Sequence, residues 1–273
     1  MLQFTDTPLD NIIELKNISQ SYDGGKNYVI KDFNLLIEDK PGQGQFVIIL
    51  GMSGCGKSTI LRYIAGLQQP TTGEVLLSGR PRTEKDHVGM VFQKYSSMPW
   101  MTVLENVALG LTYQGVAPKE REERVREMIK TVGLQGHEQK YAQYPTLSGG
   151  QLQRVAIARS LLANPRILLM DEPFGALDIN TRILMQDMLV DIWKKVHPTI
   201  IFITHDIAEA IYLGDDVYVM RPSPEAHLVH HIPVSLPHDR DRTIKRDSHF
   251  IDLVRYTEDI MVKVYENSSP QAI

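Results

Sequence analysis

Apolar residues recur along this chain in two different periods, which divide it into strands and helices. Residues Ile12 to Ile18 and Val29 to Ile37 alternate loosely between apolar and polar positions, which is typical of antiparallel strands with one exposed face. Other runs are continuously apolar, as expected of strands buried on both faces of a parallel sheet. These runs are Phe46 to Leu50, Ile167 to Met170 and Thr199 to Ile203.

Helical periods connect the apolar runs. Asp178 to Val196 is predicted to be an amphipathic helix, because apolar residues recur at a four-residue step. The residues of that stripe are Leu184, Met188, Ile192 and Val196. Strands that alternate with helices predict a doubly wound α/β sheet.

The strand pattern disappears from Lys94 to about Ala163, so we predict an inserted helical lobe there. Helices are expected over Val103 to Tyr113 and Pro118 to Val132, since proline is well placed at a helix start. The charged run Lys119 to Arg124 is interpreted as a solvated helix face. Its Glu–Arg pairs, at 120/124 and 122/126, have the spacing of helical ion pairs.

After Met220 the chain becomes proline-rich and carries mixed charges from Asp239 to Arg242, followed by a helical pattern near Phe250 to Tyr265. We predict an appended edge that packs on the core and ends in a frayed terminus at Ser268 to Pro270. The predicted units are a nucleotide-binding α/β core (12–93 and 164–221), a helical lobe (94–163) and a C-terminal extension (222–273).

Composition narrows the class of protein. The 273 residues carry a net charge of −4 with 23% charged residues, so there is no basic field to indicate nucleic acid as the main partner. A single cysteine, Cys55, excludes an internal disulfide and a cysteine-built metal site, and fits a reducing cytosol. Met1 to Asp10 lacks the pattern of a signal peptide, and the apolar runs are strand-sized. A role at a membrane therefore requires other chains.

The strongest motif follows the first apolar run. Residues 51–59 match the phosphate-loop pattern at every fixed position, between a predicted strand and a predicted helix. Backbone N–H groups of the loop are expected to surround the β-phosphate of a nucleotide, with Lys57 bridging the β- and γ-phosphates and Ser58 holding Mg²⁺. The residues assigned to the nucleotide are Gly51, Ser53, Gly54, Cys55, Gly56, Lys57, Ser58 and Thr59.

Polar residues follow the other predicted parallel strands. Asp171 is assigned to the Mg²⁺ shell and Glu172 to orienting or deprotonating the water that attacks the γ-phosphate. Gln93, after the strand-like Val88 to Phe92, is placed to touch Mg²⁺ or that water. His205, after the Thr199 to Ile203 run, is placed to donate to the γ-phosphate.

A second glycine-rich turn occupies Leu147 to Gln151 and opens a predicted helix from Gln151 to Ala163. Helix N-termini bind anions, and Gly149 and Gly150 let a phosphate approach the main chain without a Cβ in the way. The chain therefore has two places for phosphate. Tyr22 is a candidate platform for adenine stacking, although a plain core tyrosine fits the pattern as well.

With these motifs in order, together with Gly175 to Asp178 and Thr204 to Asp206, the chain resembles the ATP-binding subunits of ABC transporters over residues 12–220. The resemblance implies a P-loop NTPase (RecA-like) core with an antiparallel β-subdomain and an inserted α-helical subdomain. It makes residues Ser148, Gly149, Gly150 and Gln151 part of a signature motif, places Asp178 in the D-loop and makes His205 the switch histidine.

In that family two subunits enclose two MgATP molecules head to tail, so that the signature of one chain caps the phosphate on the other. The segments Val91 to Tyr95, Pro99 to Val103 and Pro233 to Arg240 look like the importer branch for nitrate, sulfonates such as taurine, and bicarbonate. The resemblance thus implies an ATPase dimer on the cytoplasmic face of a membrane, with permease subunits and an extracytoplasmic solute-binding protein. The second ATPase chain is another copy of this one, giving a homodimer, or a paralogue.

Other interpretations stay open at this point. Trp100 and Pro99 suit either a contact with a permease helix or, for Trp100, the core of the helical lobe. An ATP-dependent switch not coupled to transport is a different class of function, although a single phosphate loop and the lack of sustained heptads speak against it. A stand-alone phosphotransferase leaves the signature turn unexplained.

Overall fold

The computed structural model describes residues 11–40, 44–94, 96–175, 177–237 and 239–266. Several sequence features include residues outside these ranges, namely Met1 to Asp10, Tyr95, Ala176, His238 and Ser268 to Pro270. The side chain of Val196 also lies outside the described part of the protein.

The described residues form strands and helices in alternation. The strands are β1 Asn11–Gln20, β2 Ile30–Glu38, β3 Gln45–Leu50, β4 Thr72–Leu77, β5 Arg80–Pro81, β6 Gly89–Val91, β7 Ile167–Asp171, β8 Thr199–Thr204, β9 Asp216–Met220 and β10 Leu228–Pro233. The helices are α1 Lys57–Ala65, α2 Val103–Tyr113, α3 Pro118–Thr131, α4 Gly149–Leu162, α5 Ile179–Val196, α6 Ile207–Leu213 and α7 Ser248–Glu266, with a 3₁₀ helix at Arg242–Arg246.

The central sheet has six strands in the order β10-β9-β3-β8-β7-β6. Strand β3 pairs in parallel with β8 and β9, and β7 pairs in parallel with β8 and β6. Only β10 runs antiparallel, at one edge. The three continuously apolar runs are therefore strands of a parallel sheet, as the sequence predicted, and the structure makes them neighbours in the order β3-β8-β7. The carboxyl ends of β3, β6, β7 and β8 meet at one edge of the sheet.

Both faces of this sheet are covered, which is why its strands are apolar at successive positions. Phe46, Ile48 and Leu50 of β3 pack into a cluster with α5, α6 and α7. Val47 and Ile49 pack on the opposite face, in a cluster with α1 and the first two strands. The chain thus forms an α/β fold with helices on both sides of a parallel sheet.

A second sheet and a helical lobe complete the fold. Strands β2-β1-β4-β5 form an antiparallel sheet. Helices α2 and α3, predicted from sequence, are confirmed, and with α4 they share a separate hydrophobic cluster. The predicted pairs on α3 are present and exposed, with Arg124–Glu120 at 3.4 Å and Arg126–Glu122 at 2.8 Å.

The apolar stripe predicted for α5 is wrong in part. Leu184 is 60% exposed, whereas Met185, Leu189 and Trp193 are buried against the sheet. The four-residue step selects a stripe that neighbours the true one, because a helix advances 3.6 residues per turn and residues 184 and 185 lie on adjacent faces. Helix α4 also begins at Gly149, before the predicted Gln151, because Ser148 caps it.

Helix α7 packs on the same core as α5 and α6. Phe250, Ile260, Met261 and Val264 of α7 belong to the cluster on that face of the sheet. Pro233 ends the edge strand β10, a position where the missing N–H of proline is tolerated. Within the described ranges, every helix is too short or too polar to cross a bilayer.

Candidate functional site

The predicted site residues lie where parallel strands end. The phosphate loop begins directly after β3, Glu172 after β7 and His205 after β8, while Gln93 lies two residues beyond β6. Because these strands run in parallel, their carboxyl ends bring the four segments to one edge of the sheet.

The phosphate loop depends on backbone conformations that favour glycine. Gly54 and Gly56 have φ values of 83° and 100°, in the left-handed region. A Cβ on Gly51 would lie 2.9 Å from the carbonyl oxygen of Met220, so glycine also allows a close approach to β9 there. Cys55, a residue of the loop, is buried, and burial raises the pKa of its thiol.

Lys57 is 4% exposed and its ammonium group lies inside the loop. Nζ donates to the carbonyl oxygens of Gly51 and Met52, both at 2.8 Å. It also lies 3.5 Å from Oε1 of Glu172. A buried ammonium group needs such partners. A phosphate oxygen, which is also negatively charged, can replace the carboxylate as the partner of this ammonium group.

Helix α1 starts at Lys57 and its first turn has neither a side-chain cap nor an acidic residue. By contrast, α2, α4 and α5 are capped by Thr102, Ser148 and Asp178. The first N–H groups of a helix need acceptors, and the helix dipole favours an anion at this end. Together with Lys57, this end of α1 fits a phosphate group.

Ser58 and Asp171 form a pair of oxygen ligands next to the loop. Ser58 Oγ donates to Asp171 Oδ1 at 2.8 Å. Asp171 is 6% exposed, and burial raises the pKa of its carboxyl group. Mg²⁺ in nucleotide sites uses one or two carboxylates plus substrate phosphates, so this donor set fits Mg²⁺. Among the described residues there is no cluster of three His, Cys, Asp or Glu for a protein-only metal site.

Glu172 is the centre of the polar contacts at this edge. Its Oε2 lies 3.2 Å from His205 Nδ1 and 3.5 Å from Gln93 Nε2, while Oε1 faces Lys57. Its φ is 41°, which is uncommon for a residue with a side chain. Its N–H donates to the carbonyl oxygen of Ile203 on β8. Such a backbone conformation persists where the surroundings hold it, and it occurs often at functional sites.

The glycine-rich turn at the start of α4 is ordered by its own hydrogen bonds. Ser148 Oγ accepts from the N–H of Gln151 at 3.3 Å, and Gln151 Oε1 accepts from the N–H of Ser148 at 2.9 Å. The side chain of Ser148 is exposed. A Cβ on Gly150 would lie 3.2 Å from Leu177, so this turn is packed near the segment that leads to Asp178.

No described hydrogen bond or ion pair joins residues 148–151 to residues 51–59 within one chain. Gly149 is the first residue of α4, and Asp178 accepts from the N–H of Thr181 at 3.0 Å to cap α5. The structure thus brings the phosphate loop, Asp171, Glu172, His205 and Gln93 together, and leaves the signature turn without such a bond to the loop.

Two aromatic residues with sequence-based assignments, Tyr22 and Trp100, have exposed side chains. Tyr22 is 70% exposed, so the alternative that it is a core tyrosine is wrong. It lies in a loop held by Asp23, whose Oδ1 accepts from the N–H groups of Lys26 and Asn27. Trp100 is 71% exposed, so its assignment to the core of the helical lobe is also wrong.

Sequence reasoning missed the residues that hold the segment between Gln93 and Thr102. Asn106 is fully buried; its amide accepts from the N–H of Met98 at 2.7 Å and donates to the carbonyl oxygens of Met98, Met101 and Thr102. Arg159 of α4 donates to Ser96. The sequence does contain a signal for this role, because Asn106 is a polar residue within an apolar helical stretch.

Comparisons with known proteins agree with this geometry. A family model described as ABC transporter matches residues 37–175. The nitrate import ATP-binding protein NrtD of Synechocystis sp. is 40% identical, over 96% of this chain and 98% of the relative. The taurine import ATP-binding protein TauB of Pseudomonas fluorescens is 39% identical, over 94% of this chain and 96% of the relative.

Solved structures give the same result. The dimeric structure of an ATP-binding cassette in a post-hydrolysis state, bound to ADP and phosphate, is 33% identical with a TM-score of 0.69 and covers 82% of this chain and all of that one. The structure of cbiO1 from Clostridium perfringens, part of the ABC transporter complex cbiONQ, is 26% identical with a TM-score of 0.71, over 94% of this chain and 99% of that one.

Proposed function

We propose that this chain, which belongs to the ABC transporter family, is the ATP-hydrolysing subunit of an importer. The proposed substrate is a small anion of the nitrate, sulfonate, taurine or bicarbonate type. The chain is an ATPase of this family and binds ATP or ADP. The names of its nitrate and taurine relatives, together with their coverage of nearly the whole chain, support the importer branch.

The observation that carries the ATPase assignment is the position of Glu172. Its carboxylate lies next to the loop lysine, the histidine after β8 and the glutamine after β6, at the end of a strand whose last residue is Asp171. A water molecule hydrogen-bonded to this carboxylate would be oriented towards a γ-phosphate held by Lys57 and the start of α1.

Each side chain then has a separate task. Lys57 offsets the phosphate charge, Glu172 orients or deprotonates the attacking water, and His205 donates to the γ-phosphate. Ser58, Asp171 and Gln93 are the residues that would hold Mg²⁺. When bound, Mg²⁺ neutralises charge that develops on the phosphate oxygens. Tyr22, on its exposed loop, would stack on adenine.

The exposed signature turn suits a phosphate that belongs to a second subunit. We assign residues 148–151 and Asp178 to the face that closes on a partner ATPase chain, a homodimer in the simplest case, with two composite sites related by a two-fold axis. The dimeric cassette that this chain resembles supports that assembly. In this arrangement ATP closes the pair and hydrolysis reopens it.

The remaining partners follow from the importer branch. The ATPase would bind at the cytoplasmic face of the membrane through integral permease subunits, with an extracytoplasmic solute-binding protein in the full system. Pro99 and Trp100 are exposed on the helical lobe and offer an apolar anchor for a permease helix. Nucleic acid is not among the proposed partners.

Glu172→Gln tests the catalytic assignment. We expect ATP binding to persist, kcat to fall by about 10²- to 10⁴-fold as for loss of a general base, and an ATP-bound dimer to accumulate in size-exclusion chromatography. Glu127→Gln makes the same chemical change at an exposed position on α3 and should leave kcat unchanged. A Glu172→Gln variant that hydrolyses ATP at the normal rate would refute this role.

Co-purification tests the transport assignment. When the chain is expressed at its native level and purified from detergent extracts, we expect an integral membrane protein to co-purify with it. We expect this co-purification to depend on Trp100. Recovery of ribosomes or DNA in place of a membrane protein would contradict an importer and favour an ATP-dependent switch. The ATPase measurement above stays valid in either case.

A further inference from the structure

A line of hydrogen bonds runs from Lys245, a half-buried residue of the C-terminal 3₁₀ helix, through buried side chains to the turn that carries His205. Lys245 Nζ donates to Gln186 Oε1 at 2.9 Å, and Gln186 Nε2 donates to Glu209 Oε1 at 2.9 Å. Thr204 Oγ1 donates to Glu209 Oε2 at 2.5 Å. Each donor faces an acceptor, so the contacts form one continuous relay from residue 245 to residue 204.

The relay ends on the backbone of the catalytic turn. Thr204 Oγ1 accepts from the N–H of Asp206 at 3.0 Å, and Asp206 Oδ1 accepts from the N–H of Glu209 at 3.0 Å. His205 lies between Thr204 and Asp206, so these two hydrogen bonds close the turn around it. Its ring meets Glu172 at 3.2 Å.

Burial makes the relay energetically sensitive. Thr204, Gln186 and Glu209 are 2%, 4% and 6% exposed. A buried carboxylate requires compensation by donors or by a positive charge. Burial raises the pKa of Glu209, and the hydrogen bonds from Thr204 and Gln186 act to lower it. Burial lowers the pKa of Lys245, and the charges of Asp187, Asp206 and Glu209 act to raise it. Removing Lys245 leaves Gln186 Oε1 without this donor, and Gln186 is a residue that donates to the buried Glu209 carboxyl group.

We propose that Lys245 is a positioning residue for His205, acting through Gln186 and Glu209, so that the C-terminal segment controls the rate of hydrolysis. This inference rests on the proposed role of His205 and adds to it a dependence on a residue in a different part of the chain. A movement of the 3₁₀ helix by a bound partner would change the same relay. Lys245 also lies 4.1 Å from the centre of the Tyr212 ring, which fixes its direction towards Gln186.

Lys245→Met is the first test, in the full chain. Mutations along a network between sites change coupling by about 0.5–2 kcal/mol, so kcat for ATP hydrolysis should fall by about 2- to 30-fold. The KM for ATP should stay unchanged, because residues 51–59 are untouched. A smaller folded fraction would also lower the apparent kcat at constant KM, so the folded fraction of each variant is measured by urea denaturation and kcat is expressed per folded chain.

Arg242→Met is the matched control. Arg242 is on the same 3₁₀ helix, and its Nε pairs at 3.2 Å with Asp187, the residue after Gln186. Like Lys245→Met, this variant removes one positive charge, and it breaks the ion pair between the 3₁₀ helix and Asp187. Because Arg242 is not part of the relay, kcat should stay unchanged. Equal losses in Lys245→Met and Arg242→Met would show that the helix acts only as a structural support, and would overturn the proposal.

Gln186→Leu breaks the relay at its residue on α5, and its kcat is measured in the same series as that of Lys245→Met. If one of the two variants fails to fold, the other still tests the relay. Combining Lys245→Met with Gln186→Leu should lower kcat no further than either single change, because both remove one pathway. Additive losses would refute the relay. Glu172→Gln in the same series separates the two levels of inference, since an inactive Glu172→Gln with a fully active Lys245→Met would overturn only the relay.

Discussion

Residues 148–151 lead to a prediction about two chains at once. In the proposed dimer, the phosphate loop of one chain and the signature turn of the other form each site. Ser148→Arg should abolish hydrolysis although Ser148 is exposed and makes no described bond to its own loop. Lys57→Ala should abolish it at the loop, where the buried ammonium contacts Gly51, Met52 and Glu172.

The structure indicates that Ser148→Arg changes the site without unfolding the protein. The variant loses the cap that Ser148 provides to the N–H of Gln151, a change that costs about 1 kcal/mol. This is a small part of the roughly 5–15 kcal/mol by which a domain is stable. Helix α4 retains its buried residues, among them Leu152 and Val155. We therefore attribute the expected loss of activity to the arginine side chain, which places a bulky cation where the Ser148 hydroxyl group would face the partner's phosphate.

Mixing the two inactive variants in equal amounts should restore activity. About half of the dimers are then mixed, and each mixed dimer contains one intact loop facing one intact signature turn. About a quarter of all sites are therefore complete, and phosphate release should reach about a quarter of the wild-type rate if the sites act independently. Phosphate release is measured for each variant alone and for the mixture.

Thr102→Arg is the matched control for this experiment. Thr102 caps α2 through the same capping box that Ser148 forms on α4, so the change loses the same type of cap and gains the same charge. It should leave ATP hydrolysis unchanged. A mixture no more active than the mean of its two components, or a fully active Ser148→Arg, would refute the composite site.

Further predictions concern accessibility and stability. Cys55 is 1% exposed and burial raises the pKa of its thiol, so at pH 8 less thiolate forms and a disulfide reagent should react slowly with the native chain; rapid native labelling would contradict this. After urea unfolding, one equivalent should react per chain, because Cys55 is the single cysteine. Asn106→Ala should lower the free energy of unfolding by about 2–3 kcal/mol, measured by urea denaturation, because it leaves buried partners in Met98 and Thr102 unsatisfied. A loss below about 0.5 kcal/mol would show that water replaces the amide.

Local patterns were sufficient for much of the fold. The apolar runs at β3, β7 and β8 predicted buried strands of a parallel sheet, and α2 and α3 have nearly the predicted bounds. These features depend on side-chain periodicity and on turn or cap residues that are close together in sequence. The phosphate loop is of the same kind, since its chemistry lies within residues 51–59.

Some elements were missed because their determinants are distant in sequence. Strand β4 contains Gly73, whose φ is 95° and where a Cβ would lie 2.5 Å from the carbonyl oxygen of Asn17. Glycine weakens the sequence pattern of a strand. Residue 73 is glycine because the backbone of β1 lies too close to leave room for a side chain. The buried face of α5 was misplaced by one residue, since packing against the sheet selects Met185 over Leu184.

The sequence by itself determined which chemical groups this protein has and the order in which they occur, because motif and period are properties of neighbouring residues. Only the tertiary structure placed Lys57, Glu172 and His205 within contact distance, since parallel pairing of distant strands brings their ends together. It also showed that Lys245 reaches the turn of His205 through Gln186. Such contacts depend on how buried polar groups satisfy one another across the fold, and no local pattern records that pairing.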